Sequence, residues 1–486
     1  MNKHASRSLF YLVATIMPRV LGIILLPIYS HFLLPQQYGI FSLSNTINQI
    51  LYMVMTFGLV SAVGRFYFDA PDEEQRRLIM GQISIFLFFV PLACLGLLEW
   101  QGDALFQLFT PGVSYAVYFR IVAWTTFLSM FSVVPLMVLR SQERAILFAS
   151  MTIGQAVLYH ALAIVLVTMF GYGVIGLLWS NFISTLLLVP LYINLVLPMI
   201  SLKISFQRVK ELLKYSTPLI PHSVAGWVLS LSDRIVLQRW ASLADIGVYS
   251  LGYTLGSSVQ NVADAVNASW FPSFYRSQTT GKEVRQTLRM ATYLLAVVCA
   301  TAFLVAVGGH HFVLWFLPKS YAGAEKVIVW VAASAIFILL YYIWSFSIHY
   351  SKKTWYLPVV TWSAALLNLA TNFILIPKFG YIAAAFNTFL AYFLMAIVCS
   401  FIACKLYPIQ YEYRRWIVLV TTTVIMTMIV YFRPELPTVW DIAYSFILLS
   451  AWPLILGFLR FYNEAEKEFY RTWLDRLMRS RLSTLP

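Results

Sequence analysis

Residues 39–43 read Gly39-Ile-Phe-Ser-Leu43, and 208 positions later the chain repeats itself as Gly247-Val-Tyr-Ser-Leu251. A second landmark, Phe170-Gly-Tyr172, returns as Phe379-Gly-Tyr381 at an offset of 209. Each copy stands at a short polar break between long apolar runs. Matches this short carry little singly, but a shared offset and a shared placement mark an internal duplication. Six apolar runs precede the repeat, an even number, so the two lobes enter with the same orientation. They should be related by an axis along the membrane normal, with a site at their interface.

Composition states what these runs are. Of 486 residues, 60% are hydrophobic and 11% charged, against about 45–50% and about 25% in soluble domains. A soluble protein is excluded, and runs of about 20 unbroken apolar residues exclude a transmembrane β-barrel. The runs lie near 8–34, 38–66, 78–99, 116–139, 146–169, 172–199, 215–240, 246–273, 288–309, 323–349, 355–376, 381–404, 414–432 and 438–460. The sequence therefore predicts an all-α polytopic membrane protein of about 14 transmembrane helices. Its divisions are an N-lobe (1–200), a linker helix (201–214), a C-lobe (215–405), an added helix pair (406–461) and an amphipathic basic tail (462–486).

The net charge of +14 is a topology signal, not a nucleic-acid footprint. With both termini placed inside, 26 of the 34 Lys and Arg fall on cytoplasmic breaks or the tail and six on outer ones, the bias that orients polytopic proteins. The first run, behind Lys3 and Arg7, continues to Leu34 and is too long for a cleaved signal peptide. The longest outer loop, about Trp100 to Tyr115, is too small to house a glycan polymerase or ligase site. The linker sets Leu202, Phe206, Val209, Leu212 and Leu213 opposite Lys203, Arg208, Lys210 and Lys214, and the tail sets Phe469, Tyr470, Trp473, Leu474 and Leu477 among arginines. Both read as amphipathic cytoplasmic helices, and the tail either docks on anionic lipid or simply ends the topology signal as a basic helix.

Inside the spans the informative residues are few. Pro18 and Pro27 in span 1, and Pro218 and Pro221 in its repeat partner span 7, remove helix hydrogen bonds and mark expected hinges. Arg19 lies about 16 Å into span 1 at 1.5 Å per residue, too deep for easy snorkelling, and is expected to line a wet cavity. Asp233 and Arg234 are adjacent on span 7 with side chains about 100° apart, so each is expected to find its partner elsewhere, with an anionic substrate one candidate for Arg234. Arg65 stands at the inner end of span 2, where it can guard the cavity mouth or reach the surface. Asp264, flanked by Asn261 and Asn267 on one face of span 8, reads as a hydrogen-bonded polar seam between helices or as the candidate for ion coupling. His160, His222 and His349 read as packing or interfacial groups, and the four cysteines as packing residues. There is no phosphate-binding loop, nucleophile elbow or metal-spaced cluster, so no enzyme, cofactor or metal is expected. Proton or sodium gradients remain as energy sources.

The duplicated lobes, the turn Leu34-Pro-Gln-Gln-Tyr-Gly39-Ile-Phe-Ser, and Leu231-Ser-Asp-Arg-Ile235 followed by Gly247-Val-Tyr-Ser-Leu251 resemble the polysaccharide biosynthesis (Wzx-like) flippases. That superfamily also holds multidrug extruders and lipid II flippases. The resemblance implies a V-shaped pair of six-helix lobes around a cationic cavity, opening alternately inward and outward. It implies transport of undecaprenyl-pyrophosphate-linked oligosaccharide, such as an O-antigen or capsule unit, across the bacterial inner membrane, with a polysaccharide polymerase and chain-length regulator as partners. Asp233 and Arg234 fall on a recurring family pair, and Arg19 fits a preference for basic residues in the first span. Fourteen spans instead resemble the lipid II flippases, which keeps a peptidoglycan precursor open as substrate.

Overall fold

The computed structural model describes residues 3–201, 203, 205–280, 284–464, 466 and 468. Among them every regular element is a helix: α1 (Lys3–Ile24), α2 (Leu26–Phe32), α3 (Pro35–Thr56), α4 (Leu59–Asp69), α5 (Glu73–Phe109), α6 (Arg120–Ser141), α7 (Ala145–Ile164), α8 (Gly173–Val196), α9 (Phe206–Ser216), α10 (Ile220–Trp240), α11 (Leu243–Gly256), α12 (Ser258–Thr280), α13 (Val284–Phe316), α14 (Ala324–Tyr350), α15 (Tyr356–Leu406), α16 (Tyr413–Tyr431) and α17 (Thr438–Phe458). Ten of the described helices are long and apolar enough to cross a membrane, or eleven when α3 and α4, bent by 41°, count as one. The helix α15 is itself two helices meeting at Gly380. Helix α10, which carries Asp233, Arg234 and Arg239, and the pair α11 and α12 are not among the ten, so length and composition alone do not establish the expected count of fourteen among the described residues.

Local chemistry explains where the helices begin. Pro35 opens α3, where its missing N–H costs nothing, and Gln37 Oε1 accepts the Leu34 N–H at 3.2 Å. In the other copy Asp245 Oδ2 accepts the Ser242 N–H at 3.0 Å while Ser242 Oγ accepts the Asp245 N–H at 3.1 Å, a capping box. Both caps place the reaching side chain three residues on, and both precede the repeated glycine by five. The second landmark is duplicated in backbone conformation as well: Gly171 and Gly380 hold φ of 67° and 66°, a region closed to most side chains. Asp72 caps α5 by accepting the Gln75 N–H at 2.7 Å. That helix runs to Phe109, so most of the expected outer loop from Trp100 to Tyr115 is helical.

Contacts divide the chain into two units. The first comprises Met1–Leu255, Phe312–Val327 and Trp355–Ala391, and the second Gly256–His311, Ile328–Thr354 and Tyr392–Pro486. In the second unit the added helix pair packs Met426, Val430 and Leu448 against Phe303, Ala306, Val307 and Val329. Of the expected linker, Phe206–Ser216 forms a helix, Ser201, Lys203 and Ser205 are not helical, and Leu202 lies outside the described residues. The expected amphipathic face of the tail, from Phe469 onward, lies outside the described residues.

The helix breaks differ from expectation in position. In span 1 the chain leaves the helix at Leu25 and resumes with Pro27 in the first turn of α2. Pro218 lies in a 3-10 turn and Pro221 in the first turn of α10, so they shape the entry to that helix, not a bend in its middle. Another break falls at Phe57 and Gly58, with φ of 50° and 71°, where a Cβ on Gly58 would lie 2.8 Å from Ser216 O.

Candidate functional site

The two copies of the repeated motif meet inside the first unit. A Cβ on Gly39 would stand 2.1 Å from Leu243 O, and one on Gly247 would stand 1.9 Å from Pro35 O. Glycine at both positions is what lets the starts of α3 and α11 touch backbone to backbone. Around this crossing the Tyr321 hydroxyl donates to Leu33 O at 2.9 Å, and the Tyr38 and Tyr321 rings meet edge to face at 6.2 Å. Farther out, Gln238 Nε2 donates to Pro111 O at 2.9 Å and Arg239 Nη2 to Leu108 O at 3.1 Å. All of these groups stand at the end of the spans that the charge bias assigns to the outside.

Asp233 and Arg234 sit below the crossing, 2% and 4% exposed. The expectation that they cannot pair with each other is wrong: Arg234 Nη1 lies 3.0 Å from Asp233 Oδ1. The aspartate turns back to accept its neighbour's backbone N–H at 2.8 Å, and the long arginine curls one turn toward the Ser230 carbonyl, at 3.0 Å. Together these motions cancel the 100° separation. The Tyr249 hydroxyl donates to Asp233 Oδ2, Arg234 Nε donates to Ser42 Oγ at 3.1 Å, and the guanidinium lies over Tyr253 at 4.4 Å and Tyr249 at 5.5 Å. Ser42 ends the first Gly39-Ile-Phe-Ser and Tyr249 is the third residue of the second motif, so both partners belong to the repeated pentapeptides. A charge pair this deep is tolerable when its other groups find partners, and here Asp233 Oδ2, Arg234 Nε and Arg234 Nη1 each have one.

The other candidates lie apart from this network. Arg19 is exposed, six residues before the break at Leu25. Arg65 is exposed, pairs with Asp69 at 3.2 Å and covers the Tyr215 ring at 4.7 Å. In the second unit Asp264 accepts a 2.8 Å hydrogen bond from Tyr342, and Asn267 Oδ1 one turn on is buried without a protein partner. His160 packs on Tyr29 with its Nδ1 2.8 Å from the hydroxyl. The cysteines are free thiols, with Cys299 and Cys399 buried, Cys94 half-buried and Cys404 exposed.

At the predicted cytoplasmic side of the second unit, Arg415 joins Glu412 at 2.9 Å and Glu466 at 2.9 Å. Asn463 and Glu466 cap each other, with Asn463 N–H to Glu466 Oε2 at 2.8 Å and Glu466 N–H to Asn463 Oδ1 at 2.9 Å, and Tyr293 donates to Glu466 at 2.7 Å. Burial alone would raise the Glu466 pKa. Hydrogen bonds from Tyr293, the Asn463 backbone and Arg415, with the arginine's charge, outweigh it and hold the carboxyl below its usual range. The sequence reading did not single out this anchor, because its members are scattered over 174 positions.

The chain is a long-helix membrane protein with an internal repeat and a buried charged seam. The fold matches the lipid II flippase MurJ in an inward closed conformation with a TM-score of 0.73, at 15% identity over 93% of this chain and 99% of that one. It also matches an inward-facing multidrug resistance MATE family transporter of the MOP superfamily, with a TM-score of 0.57 at 16% identity over 82% and 94%. Residues 6–278 match the model of the polysaccharide biosynthesis protein family, and the chain belongs to that family. Similar proteins include the succinoglycan biosynthesis transport protein ExoT of Rhizobium meliloti (strain 1021), 26% identical over 285 residues, which are 58% of this chain and 55% of that protein. Another is the Lsg locus putative protein 1 of Haemophilus influenzae (strain ATCC 51907 / DSM 11121 / KW20 / Rd), 22% identical over 367 residues, 73% and 83% of the two chains. The chain thus spans about half the length of the first of these relatives. It is a multi-pass membrane protein, and ExoT, among its relatives, is named a transport protein.

Proposed function

We propose that this protein is an alternating-access flippase that moves a polyprenyl-pyrophosphate-linked oligosaccharide from the cytoplasmic to the outer leaflet of a bacterial inner membrane, with fourteen crossings and both termini cytoplasmic. One observation carries the reading: the two repeat motifs cross glycine on carbonyl at the predicted outer end, which makes that end a latch able to open and close as the repeated halves, 1–200 and 215–405, rock. A pyrophosphate carries about two negative charges and its glycan is hydrated, so the cargo needs a wet path with cationic anchors. Arg19, exposed midway along the first span, is the anchor in this state. Arg234 is held in the latch and meets cargo when the latch opens. Arg65 acts at the inner mouth, near its pair with Asp69. Asp264 and Asp233 are the proton or sodium coupling candidates. A polysaccharide polymerase and a chain-length regulator would use the delivered product, and α16 and α17 bound a path for the lipid tail.

The test is surface glycan in cells carrying Arg19→Ala and Arg19→Lys at matched membrane levels. Arg19→Ala should abolish surface glycan, and Arg19→Lys should keep part of it, because charge persists without the guanidinium fork. Normal glycan with Arg19→Ala contradicts the assignment. A lipid II flippase is the second reading, favoured by the extent of the match to MurJ and by the added helix pair. Cells depleted of the protein would then lyse instead of losing surface glycan. A multidrug extruder is less favoured, because cationic drugs call for cavity carboxylates rather than Arg19.

A further inference from the structure

Two adjacent histidines near the predicted outer end of α13 and an aspartate in the first turn of α17 converge although 130 residues separate them. His310 Nε2 lies 3.2 Å and His311 Nδ1 3.5 Å from the same oxygen, Asp441 Oδ2. One donor atom from each residue lies within 4.8 Å of the other two. Neighbouring residues on a helix diverge by about 100°, and the two rings meet here by using different nitrogens, Nε2 of the first and Nδ1 of the second. We propose that His310, His311 and Asp441 bind one divalent transition-metal ion of the zinc class.

Geometry, chemistry and surroundings each support the site. A tetrahedral ion with ligands at about 2.0–2.1 Å has ligand-to-ligand edges of about 3.3 Å, between the two measured separations. Two imidazoles and one carboxylate form a donor set that suits zinc and leaves a fourth position for water or another anion. The supporting groups are in place. Ser445 Oγ lies 2.7 Å from His311 Nε2, the nitrogen turned away from the aspartate, and fixes the ring. Arg433 takes the other carboxylate oxygen at 2.7 Å and donates to Ser445 Oγ at 2.9 Å, which leaves Asp441 Oδ2 for the histidines. The side chains of His310, His311 and Asp441 are 19%, 12% and 5% exposed, which is sheltered but reachable. The charge of Arg433 opposes that of the ion and weakens its binding. Bound metal would tie α13 to α17 and stiffen the added helix pair.

The test uses the full chain, purified in detergent and stripped with a chelator. Titration with zinc by calorimetry should give one saturable site, and cobalt should give the visible absorption of a tetrahedral ion. His310→Ala and His311→Ala should each weaken binding at least about 100-fold and abolish that absorption. Ser445→Ala keeps all three ligands and should weaken binding about 10-fold, which keeps the test open if a ligand variant does not fold. Absence of saturable binding below millimolar zinc overturns the proposal. So does binding unchanged in both histidine variants, which would place the ion on adventitious surface groups.

Discussion

Replacing Gly39 with alanine tests the latch at its tightest point. The new Cβ would start 2.1 Å from Leu243 O, and real Cβ atoms essentially never approach within 3.0 Å. The starts of α3 and α11 must therefore part by about 1 Å. Forcing a methyl into packed backbone costs about 1–3 kcal/mol, charged only to the latched state because the clash vanishes once the helices separate. That shifts the equilibrium toward the opened state by about 5- to 150-fold. The readout is the reactivity of a cysteine at Ser42, 7% exposed and beside Arg234, introduced after Cys94, Cys299, Cys399 and Cys404 are replaced. An impermeant maleimide added outside should label Ser42→Cys faster by that factor in the Gly39→Ala background. Gly22→Ala is the control, since a Cβ there meets nothing within 4 Å. Equal labelling rates in the Gly39→Ala and Gly22→Ala backgrounds would refute the latch.

Three further outcomes follow from the same contacts. Removing one member of the buried pair strands the other, so Arg234→Met should cost about 3–5 kcal/mol and lower the thermal midpoint in detergent well below that of Arg65→Met; equal midpoints would count against an energetic role for the network. Asp264→Asn should mimic the neutral carboxyl and make transport in vesicles insensitive to an imposed pH gradient that drives the wild type; equal gradient sensitivity in both removes Asp264 from coupling. The Glu466 carboxyl titrates lower in the folded than in the unfolded chain, so its stabilising contribution is present above the unfolded value and lost as pH falls through the folded one. Proteolysis at the start of the tail should accordingly rise in that acid window, and Glu466→Gln should show the raised level already at neutral pH; a pH-independent cleavage rate would contradict the anchor.

Much of this was legible in the residues, and the rest has physical reasons for being hidden. Apolar runs fix helices because lipid leaves backbone groups no other partner, and the duplicated pentapeptides marked the internal repeat. Asp233 and Arg234 were visible as an anomaly, but their mutual pairing depends on side chains folding back along the helix, which spacing rules ignore. Ser42 and Tyr249 were already quoted within the repeats, yet a shared offset reports homology, not contact. The break at Phe57 and Gly58 carries no proline, and a lone glycine in an apolar span ordinarily passes without one. His310 and His311 escaped because a helical metal pair is sought at i and i+4, while their third partner comes from another helix.

The central claim is transport of an anionic, lipid-linked glycan, and reconstitution tests it directly. Purified protein in vesicles, given a polyprenyl-pyrophosphate oligosaccharide with its glycan confined to one leaflet, should expose that glycan to an enzyme on the opposite side much faster than empty vesicles do, and Arg19→Ala should remove the difference. Glycan exposure no faster than in empty vesicles, with a cationic drug moved instead, would contradict the account.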